Sequence, residues 1–559
     1  MLAKKTHNAI ELNFKYDPQV VSFVKSLDGR KYSPATKTWF VPIAGSWHVV
    51  QRLIKRGFKI QDELLEAVKN DEKEAQDAEA LAVMDDTEFN TPLPLFPYQK
   101  VGSAFLYKIG SGILGDEMGL GKTVQSLALC ERVKAKKVLI FTPSSVKWQW
   151  AGEIERFIPQ DGWRKPPSVQ YPASDRAPEY SEVSQIAVID GNAREREELW
   201  RGDYRFYIAN YELLLRDFEA MNCREWDIVI ADEATKISNH TAKQSKLIKK
   251  LRAKRRIAMT GTPISNRANE VWNIVDFCQP GVLGDYWSFQ QKYCLKNQWG
   301  GVFGYQHMDE LRGKLKRYMI RRLKVDVLPE LPAKITTDIP FEMTAEEKEL
   351  YKKIKKEILF EIEHKDIAKL ATPMTIQYTL VKLLRLRQLA DSTELLGFNT
   401  QSSKLEVLKE LLVEAITQDK KAIIFTQFAE MADILARELA EYKPLLISGT
   451  IKEEYRDVVK KFNEVEDHKI LIMTSAGQFG LNIQRASVIF HYDFEWSLAK
   501  MEQRDGRAHR YGQKDTVMVY NLIAKNTVDE YVQKILFKKK DLSNAILMDD
   551  IRNMLTLGD

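Results

Sequence analysis

Continuous apolar runs of strand length recur along the chain: VLIF (138–141), IVIA (228–231), AIIF (422–425), ILIM (470–473) and SVIFHY (487–492). Runs this short, with no polar alternation, are expected of strands covered on both faces. Amphipathic stretches lie between them. VQSLALCERV (124–133) places Val124, Leu127, Ala128 and Val133 to bury one helical face, and MADILARELAEY (431–442) follows the run at 422. Strand and helix alternate twice, from about 95 to 280 and again from about 402, which predicts two parallel-sheet α/β units.

The flanks differ. Ile10, Leu12 and Phe14 alternate as in a strand, and VVSFVKSL reads as a helix. GRKYSPATKTWFVP reads as a hairpin turning at Ser33 and Pro34 between Tyr32 and Trp39. A second helix near SWHVVQRLIKRG stops at Gly57. Residues 1–60 are therefore expected to form a small α/β module. Residues 61–90 are expected to be a helical or partly disordered linker. Residues 91–280 form the first unit, 281–400 helical insertions with Pro329 and Pro332 marking a boundary near 330, and 401–559 the second unit with a closing C-terminal helix. Residues 158–185 hold five prolines and read as a surface loop.

Length and composition add bounds. A chain of 559 residues suggests three or four domains, and 44% hydrophobic with 29% charged residues reads as soluble and globular. No apolar run reaches the roughly 18 residues of a membrane span. The first residues, MLAKKTHNAIELNF, lack the apolar stretch of a signal peptide. Cys130, Cys223, Cys278 and Cys294 contain no CxxC pair, which fits a reducing, cytoplasmic setting without disulfides or zinc. Charge is segregated: residues 1–60 carry +8 and residues 61–90 carry −9. A basic module fits a polyanion partner, and equally a solvated basic face. Arg30, Lys31 and Lys37 interleave with Tyr32 and Trp39, a pattern suited to phosphate contact and base stacking, with Trp39 read as core and the three cations as surface.

The chemistry concentrates at SGILGDEMGLGKT (111–123). A strand enters a glycine-rich turn ending in Lys122 and Thr123, and a helix follows. Loop N–H groups and the helix N-terminus face an anion, Lys122 adds charge, and Thr123 can ligate Mg²⁺. The pattern GxxxxGK[ST] calls for Gly at 116, where this chain has Asp116. WDIVIADEATKISN (226–239) delivers Asp232 and Glu233 at a strand end: Asp232 to hold Mg²⁺, Glu233 to orient the attacking water. Two acids there also fit an ordinary helix cap. Gln99 could read adenine with its paired donor and acceptor, or be a surface glutamine. Thr142-Pro143-Ser144-Ser145 ends a buried strand with hydroxyls able to donate to a nucleic-acid phosphate. Gln503, Arg507 and Arg510 fall at i, i+4 and i+7, one helical face, which suits a triphosphate or a solvated basic surface.

Seven blocks then stand in order: LFPYQ, DEMGLGKT, TPSSVKWQW, DEAT, TGTPISN, TSAGQFGLN and QRDGRAHRYGQ. Together they resemble the Swi/Snf-like branch of superfamily 2 helicases over about residues 90–540. DEMGLGKT accounts for Asp116, since that branch commonly has an acid there. The 29–42 hairpin with its flanking helices resembles the HARP module of annealing helicases. The resemblance implies two tandem RecA-like lobes plus a HARP-like module, and a DNA-dependent ATPase using ATP and Mg²⁺. It implies that Gln99, Asp116, Glu117, Met118, Gly119, Leu120, Gly121, Lys122 and Thr123 bind ATP. Lys122, Asp232, Glu233, Gln503, Arg507 and Arg510 would be catalytic, the two arginines as fingers. Thr260, Gly261 and Thr262 would couple the lobes to DNA. DNA contacts fall to Thr142, Pro143, Ser144, Lys147, Thr474 and Ser475, with Arg30, Lys31 and Lys37 from the module. Thr235 departs from the His found there in many relatives. The expected partner is duplex or forked DNA, with replication, repair or transcription proteins, for a monomer. Rival readings are a remodeller that displaces proteins or RNA polymerase from DNA, and a non-catalytic nucleic-acid-binding scaffold.

Overall fold

The structure is a computed structural model. It describes residues 1–6, 9–27, 29–34, 36–43, 46–158, 185–261, 270–296, 302–364, 384–398, 400–449, 455–474, 483–534 and 536. The chain divides into two compact units, Met1–Val327 and Leu328–Leu542.

The first unit opens with a five-stranded sheet of β1 (Leu2–Thr6), β2 (Ala9–Asn13), β3 (Lys31–Ser33), β4 (Thr38–Pro42) and β5 (Lys59–Ile60), ordered β3-β4-β2-β1-β5. Two helices, α1 (Pro18–Lys25) and α2 (Trp47–Lys55), cover it. Asp17 caps α1, its Oδ1 accepting from Gln19 N at 2.7 Å, and Pro18 starts the helix without needing a hydrogen bond. Ile10 and Leu12 point inward as their alternation requires, onto Val24, Val41, Val50 and Leu53. Tyr32 lies opposite Trp39 in the hairpin register. Trp39 is only half-buried, with the exposed Tyr32 against it at a ring distance of 5.0 Å.

The acidic stretch is one 21-residue helix, α3 (Asp62–Ala82). Its first turns complete the module, because Leu64 and Val68 belong to the module's core. Further along, Glu72 accepts two hydrogen bonds from Arg317 at 2.8 and 2.9 Å, Glu79 pairs with the same guanidinium at 3.3 Å, and Asp77 meets Lys108 at 2.8 Å. The module therefore runs past residue 60, and the acids of this helix hold it on the α/β portion of its own unit. Compositional polarity suggested a linker because the charge partners lie outside the stretch, Arg317 being 245 residues from Glu72.

The large sheet of this unit is parallel throughout. Its strands are β6 (Gly112–Leu114), β7 (Val138–Thr142), β8 (Ile186–Val188), β9 (Phe206–Asn210), β10 (Trp226–Asp232) and β11 (Ala253–Met259). A small hairpin, β12 (Cys294–Lys296) and β13 (Val302–Tyr305), precedes β14 (Met319–Ile320), which joins the sheet beside β6. The order is β14-β6-β11-β10-β7-β9-β8. Helices α4 (Pro97–Ile109), α5 (Lys122–Arg132) and α6 (Lys147–Phe157) fall between early strands.

The second unit has a six-stranded sheet. Its strands are β15 (Lys334–Phe341), β16 (Lys421–Phe425), β17 (Leu445–Ile447), β18 (Ile470–Met473), β19 (Ala486–His491) and β20 (Val517–Ala524), all parallel in the order β15-β20-β19-β16-β18-β17. Two parallel sheets with crossover helices make two tandem RecA-like lobes. The assignment of 281–400 to helical insertions is corrected by β14, which belongs to the first sheet, and β15, which pairs with β20 over eight residues of the second. β14 is too short to show a period. β15 is a half-exposed edge strand, so KITTDIPF lacks the continuous apolar run that marks central strands. Among the described residues no helix is long and apolar enough to cross a membrane, and all four cysteines are free.

Candidate nucleotide site

Parallel strands end on one edge, and the loops leaving that edge are where such sheets hold ligands. In the first lobe the glycine loop leaves β6, Thr260 and Gly261 follow β11, Asp232 and Glu233 end β10, and Thr142 ends β7. These four strands are consecutive neighbours in the sheet, in the order β6, β11, β10, β7. Residues distant in sequence thus share a small area of one edge.

The loop is shaped by backbone that most side chains resist. Gly119 and Gly121 have φ of 86° and 74°. A Cβ on Gly121 would lie 2.4 Å from Gln99 Nε2, so glycine is also required by space. Gly121 caps α5, and Lys122 is that helix's first residue. The Lys122 ammonium curls back on the loop, donating to Asp116 O at 2.8 Å and Glu117 O at 3.3 Å. Burial lowers its pKa, while the carboxylates of Glu233, Asp116 and Asp232 pull it the other way. The Arg321 guanidinium adds to the lowering.

Two loop residues face away from the edge. Asp116 is fully buried, with its Oδ1 accepting from Arg322 Nε at 2.9 Å and its Oδ2 from Gln125 Nε2 at 3.1 Å and from Arg322 Nη2. Its side chain braces the loop, so the expected ATP-binding role of Asp116 does not run through its carboxylate. Leu120 is also fully buried. Glu117 accepts from Lys324 N at 2.7 Å, and Met118 packs on Gly261. Gln99 is buried too. Its Oε1 accepts from Phe96 N at 3.0 Å and its Nε2 donates to Leu120 O at 3.3 Å, so in this state both amide ends serve the loop and α4.

Asp232 is held from three sides. Its Oδ2 accepts from Trp150 Nε1 at 2.8 Å and Thr142 Oγ1 at 3.2 Å, and its Oδ1 from Glu233 N at 3.0 Å. Burial raises its pKa against the pull of Trp150, Lys122 and Thr142. Tyr211 donates to the Asp232 carbonyl at 2.6 Å. Glu233 sits in left-handed backbone at φ 49°, an uncommon conformation for a non-glycine residue and one that turns its side chain off the strand direction. Sequence reasoning missed Trp150, Tyr211, Gln125, Arg321 and Arg322 as parts of this site. WQW and RRLK were visible as blocks, but their spacing to Asp232 and Asp116 carries no local period.

In the second lobe the block MEQRDGRAHRYGQ is helical only over Leu498–Asp505, which ends at Gly506. Gln503 lies on that helix, whereas Arg507 and Arg510 lie in the turns beyond it, so the three do not share one helical face as their spacing suggested. Other contacts fix the turns. Burial opposes ionisation of Asp505, but Lys334 at 2.6 Å and His491 Nε2 at 2.9 Å outweigh it and hold the carboxyl well below its usual range. Arg507 O accepts from Ile483 N at 3.1 Å, and Gln513 Nε2 donates to Ala486 O at 2.8 Å. Gln503 and Arg507 are buried, and Arg510 is half-buried.

The DNA-contact expectations fare unevenly. Thr142 is fully buried and bonded to Asp232. Lys147 is buried, donating to Ile189 O at 3.0 Å and pairing with Asp190 at 3.1 Å. Pro143 and Thr474 are buried as well, and Thr474 N donates to Ile447 O at 3.0 Å. A buried side chain cannot grip a phosphate backbone, so these four assignments are corrected. Ser144, Lys31 and Lys37 are exposed, and Arg30 is half-buried. Thr260 and Gly261 are buried beside the loop, while Thr262 and Ser475 lie outside the described residues.

A glycine loop, a helix-leading lysine and an acid pair on one carboxyl edge, followed by a second parallel lobe, define a member of the ATP-dependent helicase superfamily. The chain matches the SNF2-related domain over residues 77–395 and the helicase conserved C-terminal domain over 403–512, and it belongs to the SNF2-related family. It is 31% identical over 494 residues to the uncharacterized ATP-dependent helicase MG018 of Mycoplasma genitalium, covering 85% of this chain and 44% of that one. It is 30% identical to the putative ATP-dependent helicase/translocase YwqA of Bacillus subtilis, covering 82% and 49%. A human SWI/SNF-related regulator of chromatin, subfamily A member 1, is 29% identical, covering 78% and 42%. The chain spans less than half the length of each of these relatives.

Proposed function

We propose that the protein is an ATP-driven translocase on duplex DNA, acting at forked or partly melted sites through its N-terminal module. The observation that carries the ATPase half is the convergence of Lys122, Asp232 and Glu233 at one sheet edge. The loop N–H groups and Lys122 hold the phosphates, and Glu233 polarises the attacking water. The residues fit a magnesium ion: Thr123 and Asp232 offer hard oxygen ligands, and Mg²⁺ in such sites takes one or two protein oxygens with the rest from phosphates and water. When bound, the ion neutralises charge developing on the phosphates. Arg507 and Arg510 complete the site from the second lobe on closure, and cycles of closing and opening move the chain along DNA.

The fork preference rests on the module, whose hairpin resembles the HARP type and leaves Lys31 and Lys37 exposed. Deleting residues 1–60 would uncover Leu64 and Val68, so surface variants test it more cleanly. In Lys31→Ala/Lys37→Asn, Asn tolerates the left-handed backbone at position 37, φ 52°. The slope of log affinity for forked DNA against log salt is expected to fall by about 2, with duplex-stimulated phosphate release retained. An unchanged slope with unchanged strand annealing removes the module from fork recognition and favours displacement of bound proteins instead. Comparing stimulation by duplex, forked and single-stranded DNA and by RNA tests the substrate class. Stimulation by RNA alone would overturn it.

A further inference from the structure

We propose that Arg321 is a positioning residue for the nucleotide site, tying the phosphate loop to the turn after β11 so that the loop keeps its shape when Lys122 changes partners. The proposal rests on the nucleotide-binding reading above.

The ladder between β6 and β11 ends at Leu114 and Met259, with a last bond from Thr260 N to Leu114 O at 3.2 Å. One residue further, both chains leave the sheet, and among the described residues no backbone N–H donates to the Gly115 and Gly261 carbonyls. Arg321 takes over there: its Nη1 donates to Gly115 O at 3.2 Å and to Gly261 O at 2.8 Å. One nitrogen with two N–H groups thus bridges the two loops. Gly261 in turn lies directly on the phosphate loop, since a Cβ there would come within 2.5 Å of Met118 Cγ and 3.7 Å of Lys122 Nζ.

The same segment forms the floor of the loop. Gly115 N donates to Ile320 O at 2.8 Å and Glu117 N to Arg322 O at 2.9 Å. Lys122 also braces the loop, through the Asp116 and Glu117 carbonyls. An arriving phosphate draws Lys122 away from both. Arg321 remains, because its acceptors lie at the start of the loop and across the gap, outside the set Lys122 abandons. A guanidinium presents donors in a fixed plane, which a flexible ammonium does not reproduce.

The test uses the full chain with Arg321→Met and, as the variant least liable to misfold, Arg321→Lys. Amide exchange of the 112–121 peptide without nucleotide is expected to rise about 10-fold in Arg321→Met, the scale of losing charge-assisted hydrogen bonds. The turnover number is expected to fall about 10-fold or more with KM for ATP within about 3-fold, as for a residue that acts through the loop and not on the ligand. Arg321→Lys is expected to lie between wild type and Arg321→Met in both readouts. Unchanged exchange in both variants overturns the proposal. So does a rise in KM at constant turnover, which would make Arg321 a nucleotide ligand. A wild-type chain that hydrolyses no ATP would sink the proposed function, while the exchange measurement would still judge Arg321.

Discussion

Lys122→Ala is expected to lower ATP hydrolysis by at least about 10²–10³-fold, the scale of removing one preorganised charge stabiliser. The reason is local. Lys122, the first residue of α5, feels the carboxylates of Glu233, Asp116 and Asp232. Its removal takes away the loop's own cation beside the acid pair, so both nucleotide affinity and turnover should drop. Glu233→Gln separates the two effects. It keeps size and backbone, so nucleotide affinity should hold while turnover falls. Phosphate release and binding of a fluorescent ATP analogue measure both. Residual hydrolysis near the wild-type rate in either variant would mean that the acid-pair edge is not where the reaction occurs.

Arg507→Ala is expected to lower turnover by about 10³-fold or more, the range of an arginine finger, with nucleotide binding to the first lobe retained. Arg507 is buried, and its backbone is fixed by Ile483 and by the Asp505 anchor two residues earlier. A thermal unfolding scan must accompany the assay, because Arg507 is buried and precedes the core residue Ala508. Loss of hydrolysis at unchanged unfolding temperature assigns the arginine to the reaction. Near-normal hydrolysis refutes the finger.

Legibility followed burial and locality. Central strands such as VLIF and IVIA announced themselves because both faces are covered, and they fixed the lobes and the places of the glycine loop and acid pair. β14 and β15 did not, one being two residues long and the other a half-exposed edge. The acidic helix looked like a linker because Arg317 and Lys108, which receive its charges, come from elsewhere in the chain. The same holds for the buried polar groups. Thr142, Lys147 and Asp116 are polar residue types in motif blocks, which suggested ligand contact. Each instead bonds within the protein: to Asp232, to the buried Ile189 O with the exposed Asp190, and to Arg322. Pairings across 40 to 206 residues leave no periodic trace, so Trp150 and Arg322 emerged only from the fold.

In the proposed motor, one half-site from each lobe meets over a single triphosphate on closure. The distance between spin labels at Lys243→Cys and Glu410→Cys, one exposed position in each unit, reads that closure once the exposed Cys223 is replaced by Ser. With ADP–aluminium fluoride, magnesium and a duplex oligonucleotide, the distance distribution should move to a new, narrower population. Arg507→Ala should abolish that move while still binding nucleotide. A distribution indifferent to nucleotide in the wild-type chain would contradict the two-lobe account.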